Sequence, residues 1–289
     1  MNVRLANAVR AAMRAAAGWL EPRGGRCRVC DAPLSGRRPL AAEADGPPLR
    51  AWLCAGCAAS IPWIRRPACL RCGRPVFCPD CARHPVRAFE LNRSAVRYDA
   101  AMREWLALYK YRGSERLERP LAAMMIPAYE RLAAAVAASE RNARCAGERR
   151  GLLGRLRPPQ PPRLWRAVTF VPVSRERAEE RGFNQAERLA QAVAARARAP
   201  LVPLLVRARH GERQSMKGRA DRFRNMRGMF GPDEAGVALL RQTDNGCPAR
   251  ILLVDDIYTT GATADACAAA IRESLGARCR VYVLTWARS

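Results

Sequence analysis

Four Cys-x-x-Cys pairs in one short stretch constrain the fold of this chain more than any other feature. The eight cysteines are Cys27, Cys30, Cys54, Cys57, Cys69, Cys72, Cys78 and Cys81. A two-residue gap lets both thiolates of a pair face one metal ion, and two pairs complete the tetrahedral four-sulfur shell that zinc prefers. The disulfide alternative needs an oxidising compartment. The spacing therefore predicts two structural Zn²⁺ sites.

An internal repeat indicates which pairs share a metal ion. Residues 27–33 resemble residues 69–75, and residues 53–58 resemble residues 77–82. Each repeat has one opening and one closing knuckle, which favours sequential pairing, with an interleaved pairing as the alternative. Small zinc ribbons fold because the metal holds them together. We therefore expect a double zinc ribbon over residues 26–88, and we expect the remaining cysteines to be ordinary side chains: Cys145, Cys247, Cys267 and Cys279.

The chain is strongly basic, with 51 Lys and Arg against 26 Asp and Glu among 289 residues, a net charge of +25. Such a charge favours a polyanionic partner, because basic side chains neutralise phosphates. Lys110 and Lys217 are the two lysines, so arginine dominates, and the arginines are spread along the whole chain. A compositional bias is therefore the alternative explanation. Two histidines, His84 and His210, make an enzyme built on a histidine base a poor hypothesis.

The N-terminal residues predict a helix rather than a membrane anchor. Residues 2–20 place apolar side chains on one face, and Pro22 with two glycines ends the pattern. We expect no membrane span, because no window approaches 18 consecutive apolar residues. The absence of an apolar h-region and a small-residue cleavage site disfavours secretion. The sequence thus predicts a cytoplasmic protein with an N-terminal helix within residues 1–25.

The second half predicts strands alternating with helices, the pattern of a parallel sheet with helices on both faces. The predicted strands cover residues 168–173, 201–206, 250–254 and 279–285. The predicted helices cover residues 100–109, 117–139 and 187–198, with a last one that ends at Leu275 before Gly276. Residues 143–162, rich in Gly, Arg and Pro, predict an exposed loop.

The most specific motif follows the third of these strands. The strand ends in Asp255 and Asp256, and a Thr/Gly loop then opens a helix: Thr259, Thr260, Gly261, Ala262 and Thr263. Ligands of open α/β sheets bind at the carboxyl ends of the strands. The N–H groups of such a loop and the helix dipole favour a phosphate, while the acids can accept bonds from ribose hydroxyls or hold Mg²⁺. The motif predicts a ribose-phosphate site.

Residues 251–263 resemble the phosphoribosyl-pyrophosphate (PRPP) signature of type I phosphoribosyltransferases. Joined to Cys-x-x-Cys ribbons, the chain resembles the ComF/GntX-like family over nearly its whole length. Residues 108–113 are similar to the Lys-Tyr-x-Gly element of that family, and residues 181–186 to its Arg-Gly-Phe-Asn-Gln-Ala segment. The family's Gln…Arg-x-x-Asn spacing is matched by Gln214, Arg222 and Asn225.

The resemblance implies an α/β fold: a type I phosphoribosyltransferase-like parallel sheet flanked by helices over residues 89–289, with an insertion at 143–163, after the double ribbon. It implies that PRPP or a ribonucleotide binds with Mg²⁺, with its ribose against Asp255 and Asp256 and its 5-phosphate in the Thr259–Thr263 loop. Lys110, Arg112 or Arg181 would neutralise the departing pyrophosphate.

The resemblance also implies a role in natural competence, with single-stranded DNA and DNA-processing proteins as partners. The preferred hypothesis is a phosphoribosyltransferase, a glycosyltransferase acting on PRPP. Two alternatives remain open at this stage. One is a non-catalytic accessory protein that binds nucleic acid, and the other is a regulator that senses PRPP.

Overall fold

A four-stranded parallel sheet, in the order β1–β6–β5–β2, forms the centre of the protein in the computed structural model. The structure describes residues 25–34, 49–83, 86–111, 115–147, 164–207, 228–243 and 248–289. The strands of the central sheet are β1 (Asn92–Arg97), β2 (Ala167–Phe170), β5 (Arg250–Tyr258) and β6 (Arg280–Arg288). Two further strands, β3 (Leu205–Arg207) and β4 (Phe230–Pro232), pair antiparallel in a separate small sheet.

Eight α-helices lie in the described residues. They are α1 (Ala55–Ala59), α2 (Pro79–Arg83), α3 (Ala100–Tyr111), α4 (Glu118–Gly147), α5 (Arg175–Arg181), α6 (Gln185–Ala197), α7 (Glu234–Gln242) and α8 (Ala262–Leu275). Helices α4 and α6 pack against the central strands, while α8 contacts β5 and β6 together with α7 and the small sheet. The predicted parallel sheet flanked by helices is confirmed.

The central strands are buried because helices cover both of their faces. In β5 the run from Ile251 to Val254 is fully buried, as expected for a parallel strand covered on both sides. Ile251 and Leu253 pack in one core, and Leu252 and Val254 in the other. This alternation places α8 and the second cysteine group on one side of the sheet, and α4 and α6 on the other.

Strand β5 is longer than the sequence predicts. It pairs with β6 from Arg250 opposite Arg280 to Tyr258 opposite Arg288. The prediction that the strand ends at residue 254 is therefore wrong, and Asp255 and Asp256 lie within β5. The reason is that β6 itself runs to Arg288 and supplies partners for those residues.

Helix α4 also differs from its prediction, since it continues to Gly147 and makes the start of the predicted 143–162 loop helical. Its segment Glu118–Ser139 is long and apolar enough to cross a membrane by length and composition alone. Leu121, Met125 and Leu132 on this helix are nevertheless fully buried against the sheet. That packing is typical of the core helix of a globular fold.

Several other elements depart from the sequence predictions. The predicted strand 201–206 becomes a bridge from Leu201 to Val168 followed by the short strand β3. Strand β1 was not predicted, because its buried Asn92 and Ser94 interrupt any apolar alternation. Residues 2–20, most of the insertion, and Arg112, Gln214, Arg222 and Asn225 lie outside the described residues.

Candidate ribose-phosphate site and metal centres

The eight knuckle cysteines form two groups of four, and within each group the sulfur atoms all lie within 4.8 Å of one another. The first group is Cys27, Cys30, Cys54 and Cys57, and the second is Cys69, Cys72, Cys78 and Cys81. These are the groups that sequential pairing predicts. The Sγ atoms of Cys30 and Cys54 are 3.6 Å apart, and those of Cys72 and Cys78 are 3.5 Å apart. A tetrahedral zinc with Zn–S bonds of about 2.3 Å requires S–S distances of about 3.8 Å, so both groups fit this metal.

Backbone N–H groups point at the sulfur atoms of both groups. Burial disfavours the thiolate of Cys27, but hydrogen bonds from backbone N–H groups outweigh it and lower the pKa of Cys27 to about 6. Burial likewise disfavours the thiolate of Cys78, but hydrogen bonds from the backbone of Cys81 and from the neighbouring thiols, with a contribution from the charge of Arg288, outweigh it and lower the pKa of Cys78 to about 7. In the same two groups, burial and the neighbouring sulfur atoms raise the pKa of Cys57 and of Cys81. A metal ligand must be the thiolate, so the four sulfur atoms of a group can ionise together only around a cation.

The two groups are built into different cores. Cys27 packs with Leu49, Leu53 and Trp105 on the α4 side of the sheet. Cys72 and Cys78 pack instead in the α8 core, together with Tyr258 and Ala264. The second group therefore shares its core with the residues that flank the Thr/Gly loop.

Lys110, near the end of α3, forms an ion pair with Asp256 of β5. Both side chains are largely buried, at 16% and 18% exposure. Tyr109 packs its ring 5.4 Å from that of Phe183, which joins the end of α3 to the segment between α5 and α6. The structure thus brings together Lys110 and Asp256, two of the residues that the sequence assigns to the site.

Asp255 lies half-buried at the same edge of the sheet, opposite Thr285 of β6. The backbone N–H of Asp256 donates to Asp255 Oδ1 at 2.8 Å. Burial, followed by the adjacent carboxylate of Asp256, raises the pKa of Asp255 well above its ordinary value, while Lys110 opposes the shift. A cation or a ribose hydroxyl bound to this carboxylate would stabilise its anionic form.

The Thr/Gly loop joins β5 to α8 at the carboxyl edge of the sheet. Thr260 is buried, and its Oγ1 accepts from the N–H of Ala262 at 3.4 Å. Gly261, the N-cap residue of α8, has φ of +85° and offers no capping side chain of its own. The enclosed space between the loop and Asp255 is about 10 Å³, room for one water. Space for a larger group such as a phosphate exists only on the open side of the loop, where Thr259 is exposed.

Arg181 ends α5, close to the carboxyl end of β2. Its Nη1 donates to Gln185 Oε1 at 3.1 Å. The side chain of Asn184 donates to the carbonyl oxygen of Val171 at 3.1 Å. The N–H of Val171 in turn donates to the carbonyl oxygen of Val254 in β5, so the segment around Asn184 is anchored beside this strand. Arg181 is therefore held near this edge of the sheet while engaged with Gln185.

Sequence reasoning missed Arg288, which is only 3% exposed. Its Nη1 donates to the carbonyl oxygen of Thr259 at 2.8 Å and to that of Tyr258 at 3.3 Å. Its guanidinium also lies 4.7 Å from the centre of the Tyr258 ring. No local signal marks this residue, because it is one arginine among many and lies 29 residues from Thr259 in the chain.

Together these features define an α/β protein with a parallel sheet flanked by helices, preceded by two four-cysteine groups compatible with zinc ribbons. Over 221 residues, the chain is 27% identical to competence protein ComFC of Bacillus subtilis (strain 168), an alignment that covers 73% of this chain and 74% of ComFC. With the four-cysteine groups, this similarity confirms the resemblance to the ComF/GntX-like family. No protein-family model and no solved structure matches the chain.

Proposed function

We propose that this ComF-like protein binds PRPP or a ribonucleotide, with Mg²⁺, at the Thr259–Thr263 loop and acts in DNA uptake during natural competence. The observation that carries the binding proposal is the meeting of Asp255, Asp256 and the start of α8 at one edge of the sheet. The competence role rests on the similarity to ComFC.

In this proposal the loop and the two acids bind different parts of the ligand. The N–H groups at the start of α8, with the helix dipole, favour the 5-phosphate of the ligand. The carboxylates of Asp255 and Asp256 can accept hydrogen bonds from ribose hydroxyls or hold a hard cation such as Mg²⁺ through oxygen. The Lys110–Asp256 ion pair holds one of these carboxylates in place.

In the transferase reaction that we propose, the acceptor atom forms a bond to C1 of the ribose while the bond from C1 to the pyrophosphate oxygen breaks. No protein nucleophile is required. The protein contributes positioning and electrostatic stabilisation of the charge that develops on pyrophosphate. Lys110 and Arg181 are our candidates for this stabilisation, because both lie on segments that reach the carboxyl edge of the sheet.

Calorimetric titration with PRPP and Mg²⁺ tests the site. Replacing both aspartates, Asp255→Ala with Asp256→Ala, should weaken PRPP binding by about 2–4 kcal/mol, the partly additive loss of two charge-assisted hydrogen bonds. Glu273→Ala, an acid on the last turn of α8, is the control and should bind normally. Release of pyrophosphate with a panel of bases then tests turnover. If the wild type binds neither PRPP nor a ribonucleotide with Mg²⁺ present, the site assignment is wrong.

A separate groove favours binding of single-stranded DNA as a second function. The groove has a volume of about 1190 Å³ and lies between the two four-cysteine regions and the end of β6. Its lining combines five arginines with two aromatic side chains: Arg65, Arg66, Arg74, Arg97, Arg288, Trp63 and Tyr98. The acid that also lines it, Asp99, accepts from the N–H of Met102 at 2.9 Å at the start of α3.

This composition suits a single strand better than a duplex. Arginines along a groove contact the phosphate backbone. The half-buried rings of Trp63 and Tyr98 also line this groove, and aromatic rings can stack with unpaired bases of any sequence. Each phosphate contact releases a counterion, so binding should weaken steeply as salt rises. The groove gives the basic charge of the chain a local function.

Binding of a labelled oligothymidylate, measured across a salt series, tests the groove. Arg65→Ala with Arg66→Ala should weaken binding and reduce the salt slope by about 1–2, because two phosphate contacts are lost. Arg278→Ala with Arg280→Ala removes the same charge at the opposite end of β6 and should leave the slope unchanged. Equal effects of the two pairs would mean that net charge, rather than the groove, determines binding.

A further inference from the structure

Arg288 connects the second four-cysteine group to the Thr/Gly loop. One nitrogen of its guanidinium, Nη2, lies 3.7 Å from Cys72 Sγ. The other terminal nitrogen, Nη1, donates to the carbonyl oxygen of Thr259, the first residue of the loop. A single buried side chain therefore contacts both a metal ligand and the loop.

The charge of a metal-loaded second group explains why arginines are buried beside it. Four thiolates around Zn²⁺ carry a net charge of −2, and Arg93 and Arg288 lie beside this group with 8% and 3% exposure. Burying a guanidinium is costly unless a counter-charge and hydrogen-bond acceptors accompany it. Arg93 donates to the carbonyl oxygens of Leu70 and Asn92. Arg288 donates instead to the carbonyl oxygen of Thr259 in the loop and to those of Tyr258 and Ser289. Arg288 is thus the arginine of this pair that reaches the ligand site.

Two further contacts strengthen the connection. The ring of Tyr258, which lies under the Arg288 guanidinium, fills the space where a Cβ on Gly261 would be placed, 2.1 Å from Tyr258 Oη. The N–H of Ala88, just after the second group, donates to Asp265 Oδ1 in the first turn of α8 at 2.7 Å. The loop is therefore held from both of its ends by residues that pack with the second group.

We propose that Arg288 is a positioning residue through which the second four-cysteine centre holds the Thr259–Thr263 loop in its binding conformation. The functional consequence, which rests on the proposed function, is that phosphoribosyl ligands bind tightly only when this centre contains its metal. The first centre lies in the other core and has no such connection among the described contacts. The second centre therefore acts as a metal-dependent support of the ligand site.

Hydrogen exchange of the loop tests the positioning role without any ligand. Arg288→Lys keeps the charge but cannot span both partners, since one ammonium group replaces a planar fork of donors. In zinc-loaded protein, amides of residues 259–262 should exchange about tenfold faster in Arg288→Lys than in the wild type. Arg280→Lys, the same substitution at the exposed start of β6, is the matched control and should change exchange less than about twofold.

A second measurement uses the wild-type protein and does not depend on the variant folding. Zinc release to a chromophoric chelator is followed with and without PRPP. Because coupling between two binding sites is reciprocal, PRPP should slow the release of one zinc of the two, by about the factor by which that zinc tightens PRPP binding. In Arg288→Lys this protection should disappear, and PRPP should bind about tenfold more weakly while both zinc ions are retained.

Each outcome decides a different claim. Equal loop exchange in Arg288→Lys and Arg280→Lys overturns the positioning role, even if PRPP binds. Faster zinc release in Arg288→Lys with normal loop exchange shows that the residue serves the metal centre alone, and also overturns it. If PRPP does not bind to the wild type, the proposed function fails, while loop exchange still decides whether Arg288 positions the loop. Unchanged zinc release when PRPP does bind refutes the dependence of ligand binding on the metal.

Discussion

Replacing Gly261 by alanine should disrupt the ligand loop through one identifiable clash. Gly261 has φ of +85°, a conformation that costs a residue with a Cβ about 1–2 kcal/mol. The new Cβ would also lie 2.1 Å from Tyr258 Oη and 2.5 Å from its Cζ, far inside van der Waals contact. Tyr258 is buried between Phe89 and Arg288 and has little room to move, so overpacking adds about 1–3 kcal/mol. The total destabilisation should be about 2–5 kcal/mol.

Gly182 provides a matched control for the backbone contribution. Its φ of +75° and ψ of −7° are close to the +85° and 5° of Gly261, but nothing lies within 4 Å of a Cβ placed there. Gly182→Ala should therefore lose about 1–2 kcal/mol, from the backbone alone. Urea unfolding followed by tryptophan fluorescence measures both variants, provided that their m-values agree with that of the wild type.

A second-site change isolates the clash itself. Tyr258→Leu removes the hydroxyl and ring atoms that the new Cβ would meet. In a double-mutant cycle with Gly261→Ala, the two changes should therefore compensate by about 1–3 kcal/mol. If Gly261→Ala costs no more than Gly182→Ala, or if the cycle shows no coupling, then Tyr258 does not restrict the loop and our reasoning about this contact is wrong.

Other predictions concern the metal centres and the acids. Protein purified without chelator should contain two zinc ions per chain by atomic spectroscopy, and Cys69→Ser should lose the second ion while keeping the first; one ion or none in the wild type would contradict the two-centre assignment. Because burial and Asp256 raise the pKa of Asp255, its anion forms only above that raised pKa. Affinity for PRPP with Mg²⁺ should therefore fall as pH is lowered, and Asp255→Asn should flatten this dependence in calorimetric titrations. The same shift has the opposite sign for folding. Asp255 favours the folded state below its unfolded pKa of about 4, and this contribution is lost as pH rises through the folded pKa. Asp255→Asn should thus raise the melting temperature at neutral pH, and a lower melting temperature would contradict the shift.

The sequence alone determined the features that are encoded by short spacings. Two residues between cysteines place both thiolates on one side of a turn, and the repeat of knuckles orders them into the two groups that the structure shows. Apolar runs of strand length separated by helical segments specify a parallel sheet with helices on both faces. Gly276 marks the end of α8 for a similarly local reason, since it has φ of +88°.

Only the tertiary structure decided the features that depend on partners distant in the chain. Strand β1 is built from Asn92, Arg93 and Ser94, polar residues that are buried because Thr285, Cys72 and Leu70 supply hydrogen-bond partners. Strand β5 continues through Asp255 and Asp256 because β6 pairs with it as far as Tyr258. Arg288 lies beside the loop for the same reason, because the pairing of β5 with β6 places it opposite Tyr258. Local patterns fix which residues can form an element, whereas pairing between segments far apart in the chain fixes where polar and charged side chains find their partners.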